Sequence, residues 1–312
     1  MEKIALCFII NYEHVLYKET LWREWIEPNK DIINVYFFYK DLKKIKSKWV
    51  FKHAIPEKNI CYTSYYHVIP AYIAILNFAL KHDKKNKWFC YLTDSCCPII
   101  TPTKFREMFY KYKNQSIMTN SRAHWNIDLH KRANLAMLPN IYHLYNDSWF
   151  VLTRENAIDV MSFIINEPNM CTTICEGGLA NESLFAIILK HYKKLQNVIS
   201  KSTHMADWSR MSTPTSPHVF KDGNQEDIDF IDKCVKENDY TMFIRKVHPK
   251  FPDEILRKYI FSENGNDTEN GTKNKSAFYN GIGIICKFIH SYGDFLIAIL
   301  IGGVYIFLLL DL

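Results

Sequence analysis

No glycine-rich phosphate loop occurs in this 312-residue chain, neither G-x-G-x-x-G nor the P-loop pattern. Such loops cradle phosphates with backbone N–H groups, so the usual signatures of dinucleotide binding and P-loop phosphoryl transfer are missing. An H-E-x-x-H helix and a G-x-S-x-G elbow are missing as well, which removes the signatures of zinc proteolysis and serine hydrolysis. Charge of one sign is not in excess. Lys and Arg total 39 and Asp and Glu 33, a net charge of +6 with the signs interleaved. Nucleic acid calls for a denser basic patch, so no nucleic-acid partner is expected. A basic cleft for an anionic substrate such as a nucleotide sugar fits the balance.

The nine cysteines are odd in number, and their spacing follows no zinc pattern. Cys171-x-x-x-Cys175 has no second pair of similar form. Buried free thiols packing as small hydrophobes are expected, with one or two disulfides open to a lumenal domain. An Asp-x-Asp after a strand would hold Mg²⁺ or Mn²⁺ against a diphosphate through hard oxygens. The one Asp-x-Asp, Asp227-Ile228-Asp229, lies instead in "NQEDIDFIDKCVK", which reads as the solvated face of a helix.

What is present is a core. Hydrophobic residues make up 48% and aromatics 15%, which argues against disorder. "IALCFII", "INVYFFY" (33 to 39), "WFCYLTD" (88 to 94) and "SWFVLTR" (148 to 154) read as buried strands. Residues 65 to 82, "TPTKFREMFYKYK" and "ENAIDVMSFII" read as helices, the second capped by Thr101 or Thr103. "HMADWSRMSTPTSPHVF" (204 to 220) reads as a loop, and "YTMFIRKV" (240 to 247) closes the globular part. Strands alternating with helices predict an α/β domain with a mostly parallel sheet. The N-terminal "MEKIALCFIINYEH" reads as a first strand and not a signal peptide. Residues 262 to 276, rich in Asn, Gly and Thr, read as a flexible linker. "FLIAILIGGVYIFLLL" (295 to 310) carries no charge over 16 residues. That is about 24 Å of helix, against roughly 30 Å of hydrocarbon core. A membrane tail anchor is the reading, with a buried core helix as the alternative.

Several local features carry two readings. In "EGGLANESLFAIILKHYKK" (176 to 194), two glycines break the chain and Asn181 is placed to cap a helix with an apolar stripe. Glu182 is then either a first-turn acid complementing the helix dipole or an enzyme's base. Ligands bind at the carboxyl ends of strands in parallel sheets, so Asp94 and Ser95 are either a site or a strand-ending turn. Arg245 and Lys246 are either surface charge or the cations that clamp a departing diphosphate.

In this order the pieces resemble the core-2/I-branching β-1,6-N-acetylglucosaminyltransferases, a group that includes protein xylosyltransferases and plant and microbial relatives. The resemblance runs from about residue 3 to about residue 250. It is carried by "IALCFII", "YYHVIPAYIAILNFALKHDKKNKWFCYLTDSCCPI", "YNDSWFVLTRENAIDVM", "GLANESLFAII", "DWSRMSTPTSPHVF" and "MFIRKV". It implies a glycosyltransferase A-type, Rossmann-like mixed sheet flanked by helices, and an inverting, metal-independent transfer from a UDP-sugar to a glycan or glycoprotein hydroxyl. Glu182 then matches the catalytic base and Lys246 the residue on the leaving UDP, with Arg245 assisting. Asp94 and Ser95 border the donor pocket. Asp147, Ser148 and the Trp149-Phe150 pair lie near the acceptor, with Trp149 and Trp208 as aromatic walls.

There are departures from the family pattern. Asn181 stands where the family has Asp, and a second diphosphate cation has only Lys221 and His218 as nearest options. Animal members usually carry an N-terminal anchor, which is not seen here; a tail anchor would face the enzyme to the cytosol. Asn181-Glu182-Ser183 is a glycosylation sequon, and a glycan there would block the site, which also favours a cytosolic face. The expected organisation is a catalytic domain at 1 to 260, a polar linker at 261 to 280 and a membrane segment at 281 to 312, in a Golgi- or ER-type membrane. Transfer of xylose to a protein serine, a catalytically inactive sugar-binding relative, and a metal-dependent transferase using Asp94 are the competing readings.

Overall fold

The computed structural model describes residues 1–213 and 215–261. The predicted linker and membrane segment lie outside the described residues, apart from Phe261. Among the described residues, no helix is long and apolar enough to cross a membrane.

Four strands form the central sheet: β1 (Lys3–Ile9), β2 (Ile33–Phe38), β3 (Asn86–Thr93) and β7 (Val151–Thr153). Their order is β2-β1-β3-β7. β2 and β3 run parallel to β1, and β7 runs antiparallel to β3. Strands covered on both faces read as unbroken apolar runs. β1 shows this directly, with Ile4, Ala5, Leu6, Cys7 and Phe8 all buried.

Two helices cover opposite faces. α1 (Glu19–Ile26) lays Trp22 edge-on against Phe8 at 4.9 Å. α3 (Ile69–His82) sets Phe78 against Tyr36 and Tyr72 against Tyr91 on the other face. The indoles of Trp22 and Trp25 donate to the carbonyls of Cys96 and Ile100, so their burial leaves no polar atom stranded. α2 (Lys48–His53) follows β2. Past β3 come the short β4 (Cys97–Pro98) and α4 (Pro102–Tyr112), which Thr101 caps by accepting from Lys104 N. A two-stranded ribbon joins β5 (Asn120–Arg122) to β6 (Leu144–Asn146). Thr153 caps α5 (Arg154–Asn166), which α6 (Pro168–Glu176) and α7 (Leu184–His191) follow. A second sheet of order β4-β9-β8 gathers β8 (His204–Met205) and β9 (Phe243–Ile244). α8 (Gln225–Glu237) leads into β9, and α9 (Asp253–Ile260) packs on α1.

This is the mostly parallel mixed sheet flanked by helices that the sequence leads one to expect. Three local expectations need correction. "SWFVLTR" is a strand only from Val151, so Ser148 and Trp149 sit on irregular backbone and are free to face a cleft. Asn181 does not cap α7. Ala180–Glu182 form their own 3-10 turn, and the helix starts at Leu184 with no side-chain cap. Asp227 is not solvated. It is 1% exposed and accepts from His218 Nε2 and Gly223 N, with Arg210 beside it. Asp229, two residues on, is exposed as expected. The eight cysteines among the described residues are unpaired, and six of them are buried.

Candidate active site

In the order β2-β1-β3, the chain reverses its direction of growth at β1, and the crevice beyond the carboxyl ends of β1 and β3 is where such sheets bind ligands. A cleft of about 1230 Å³ opens there. That exceeds the roughly 300–1,000 Å³ of a pocket for one small ligand. Nine of the residues expected at the site line it: Asp94, Ser95, Asp147, Ser148, Trp149, Glu182, Trp208, Arg245 and Lys246.

One wall of the cleft is built where β3 ends. Asp94 Oδ2 accepts from Asn11 N at 3.2 Å, which ties the ends of β1 and β3 together. Asp94 is 6% exposed, and its burial pushes the carboxyl up to about 6. Ser95 O accepts from Val247 N at 2.8 Å, and β4 pairs with β9 through Cys97 and Ile244. These contacts bring Arg245 and Lys246 beside Asp94 and Ser95, 150 residues away in sequence. Lys246 Nζ donates to Ser216 Oγ at 2.6 Å. Burial, then Arg245, lowers its ammonium below the ordinary lysine range. Arg245 lies over the Trp149 ring at 5.0 Å, and its Nε is buried without a partner. Neither cation has a carboxylate ion-pair partner among the described residues. Both are therefore available to an anionic group.

A second wall is built on β6 and the turn before α7. Asn146, wholly buried, donates to the Asn181 carbonyl at 2.8 Å and accepts from Ala186 N at 3.0 Å. It thereby fixes both the 3-10 turn and the start of α7. Asn181 Nδ2 donates to Ser148 Oγ at 2.9 Å, and Ser148 Oγ donates to Glu182 Oε1 at 3.4 Å. Arg132 Nη1 stands 3.2 Å from Glu182 Oε2. Burial raises the Glu182 carboxyl above the ordinary range, while Arg132, Ser148, Arg245 and His124 act against that rise. Asp147 Oδ1 accepts from Tyr145 OH at 2.5 Å. The Trp149 ring stacks on Tyr72 at 5.8 Å, and Trp208 is 53% exposed on the rim.

Other expected residues fall elsewhere. Phe150 is buried against Tyr91 and Phe185 rather than facing the cleft. His218 is spent on Asp227, and neither it nor Lys221 lines the cleft. Sequence reasoning missed Arg132, Asn146, and the exposed rim tyrosines Tyr65 and Tyr66. Only the glycine pair 177–178 hinted at Arg132, because it permits the close approach that seats it. Among the described residues, no cluster of three or more His, Cys, Asp and Glu could hold a metal ion.

A family model described as Core-2/I-Branching enzyme matches residues 33–232, well over half of the chain. The match takes in Asp94, Ser148 and Glu182 and ends before Arg245 and Lys246. No curated protein matches the chain. A mixed sheet consistent with a glycosyltransferase A-type fold, a cleft at its switch point and the family match agree: the chain belongs to the core-2/I-branching family, whose members are glycosyltransferases.

Proposed function

We propose that the protein is an inverting, metal-independent transferase that moves a sugar from a UDP-sugar to a hydroxyl of a glycan or glycoprotein. N-acetylglucosamine is the first candidate sugar and xylose the second. One observation carries the reading: a half-buried carboxylate, Glu182, shares one cleft with Arg245 and Lys246, two cations without carboxylate ion-pair partners among the described residues. Glu182 takes the proton from the acceptor hydroxyl as that oxygen attacks the anomeric carbon. The bond from that carbon to the diphosphate oxygen breaks on the opposite face, and the configuration inverts. Lys246 and Arg245 meet the charge that grows on the leaving UDP. Asp94 and Ser95 border the donor, while Asp147, Ser148, Trp149 and Trp208 receive the acceptor. The apolar segment within 281 to 312 tethers the enzyme to a Golgi- or ER-type membrane.

The test is UDP release by the full chain from a panel of UDP-sugars in excess chelator, with Glu182→Gln as control. Release from one donor, falling about 10²–10⁴-fold in the variant, supports the reading and names the sugar. Release only without chelator would instead favour the metal-dependent alternative. Donor binding without turnover, unchanged in the variant, would favour an inactive sugar-binding relative.

A further inference from the structure

Both oxygens of Glu182 are engaged, and unequally. Oε2 faces the Arg132 guanidinium at 3.2 Å, while Oε1 has only the long 3.4 Å bond from Ser148. A charged donor holds its oxygen more firmly than a hydroxyl at that distance, so Oε1 is the oxygen able to turn to a substrate.

Arg132 reaches Glu182 because the local backbone seats it there. Arg132 bridges Gly178 in parallel fashion, and Ala133 N donates to Gly178 O at 3.0 Å. Ala133 and Asn134 take the left-handed conformation, with φ of 50° and 47°. The chain then leaves Gly178 through Leu179, whose N–H donates to Tyr66 O at 2.8 Å, and enters the Ala180–Glu182 turn. Base and arginine therefore sit on two backbone segments locked to each other. On its other side, the Arg132 guanidinium lies 5.1 Å over the Trp125 ring, which limits its freedom before any substrate arrives.

We propose that Arg132 is the positioning residue of Glu182, fixing Oε2 so that the side chain stays a carboxylate with Oε1 aimed at the acceptor hydroxyl. The proposal rests on the reading of Glu182 as the base. Other groups face Glu182 as well: Arg245 from the end of β9, His124 from the loop after β5, Ser148 before β7, Tyr145 of β6 and Tyr72 of α3. Asp147 adjoins them through Tyr145. Of the cations, Arg132 alone is in ion-pair contact with Glu182 among the described residues. Arg245 lies over Trp149 and borders Lys246.

The test titrates the full chain labelled with ¹³C at the glutamate carboxyl. The Glu182 signal is assigned by its loss in Glu182→Gln. Arg132→Met should raise its midpoint by at least one pH unit, a tenfold gain in proton affinity, and Arg132→Lys should restore most of the difference. Arg132→Gln serves if the methionine variant does not fold. In a transfer assay, the acid limb of kcat should move to higher pH by the same amount. A Glu182 that titrates at the wild-type pH in both neutral variants would overturn the proposal. If the carboxyl moves as expected but no UDP-sugar is turned over, the pairing stands and the reading of Glu182 as a base falls.

Discussion

Gly177 lies so close to Asn134 that a Cβ on the glycine would stand 2.3 Å from the backbone nitrogen of the asparagine. Backbone surrounds that point, with Ala133 Cα at 2.6 Å, so nothing flexible can give way. Gly177→Ala should push the 132–134 segment off the Glu182 turn. The expected result is a loss of roughly 1–3 kcal/mol of stability, the cost of overpacking, and a fall in kcat of up to about 10²-fold from misplacement near the chemistry. Thermal melting and UDP-release kinetics on one preparation measure both.

Ser148 relays between Asn181 and Glu182. Ser148→Ala removes the donor to Oε1 and strands the Asn181 amide, which is 5% exposed. An unmet buried donor costs about 1–3 kcal/mol. The carboxylate also loses a group that favoured its charge, so its proton affinity rises. A base works only when deprotonated, and the acid limb of the rate profile should therefore shift to higher pH. A kcat–pH profile of the variant checks the direction.

Lys246→Met should weaken UDP binding by about 10- to 100-fold, the range of one charge-assisted hydrogen bond. Calorimetric titration of UDP in chelator would measure it. Undiminished binding would remove Lys246 from the diphosphate site. The half-buried lysine carries an ammonium lowered by burial and by Arg245, so UDP affinity in the wild type should fall with rising pH before an exposed lysine would titrate.

Asp94 sets stability against binding. Its carboxyl is held at about 6 in the folded protein, against an ordinary value of 3.8. The folded state binds the proton more tightly, so this group's contribution is full at acid pH. It is lost as pH climbs from about 4 to about 6, and the loss then levels off. At roughly 1.4 kcal/mol per pH unit, the loss is on the order of 3 kcal/mol. Asp94→Asn should flatten that slope, gain stability at pH 7 and bind donor less well. Urea denaturation at several pH values, alongside donor titration, separates the two effects.

The legible parts were those with local or periodic signals. Apolar runs marked β1, β2 and β3, and a threonine cap, Thr101 or Thr103, announced the start of α4, where Thr101 proves to be the cap, because both signals rest on near neighbours. Glu182, Lys246 and Asp94 were singled out through short motifs in a recognisable order, and all three line one cleft. What brings them together was not legible. The Ser95–Val247 and Asn146–Asn181 hydrogen bonds cross 152 and 35 residues, and no local pattern announces such pairs. Arg132 stayed hidden for the same reason. It sits in a loop without periodicity, and its task follows from a glycine 45 residues later. Asn181 looked like a helix cap because Asn favours caps. Buried contacts to Ser148 and Asn146 outweighed that preference.

The amide nitrogen that Asn181 gives to Ser148 is the atom to which an N-linked glycan would be joined at Asn181-Glu182-Ser183. It can serve one purpose or the other, and at 5% exposure it is closed to a transferase once the turn has formed. In a compartment that attaches such glycans, the yield of native protein would be set by a race. Chains that close the turn first keep a bare asparagine; chains modified first carry a bulk that their own interior cannot admit.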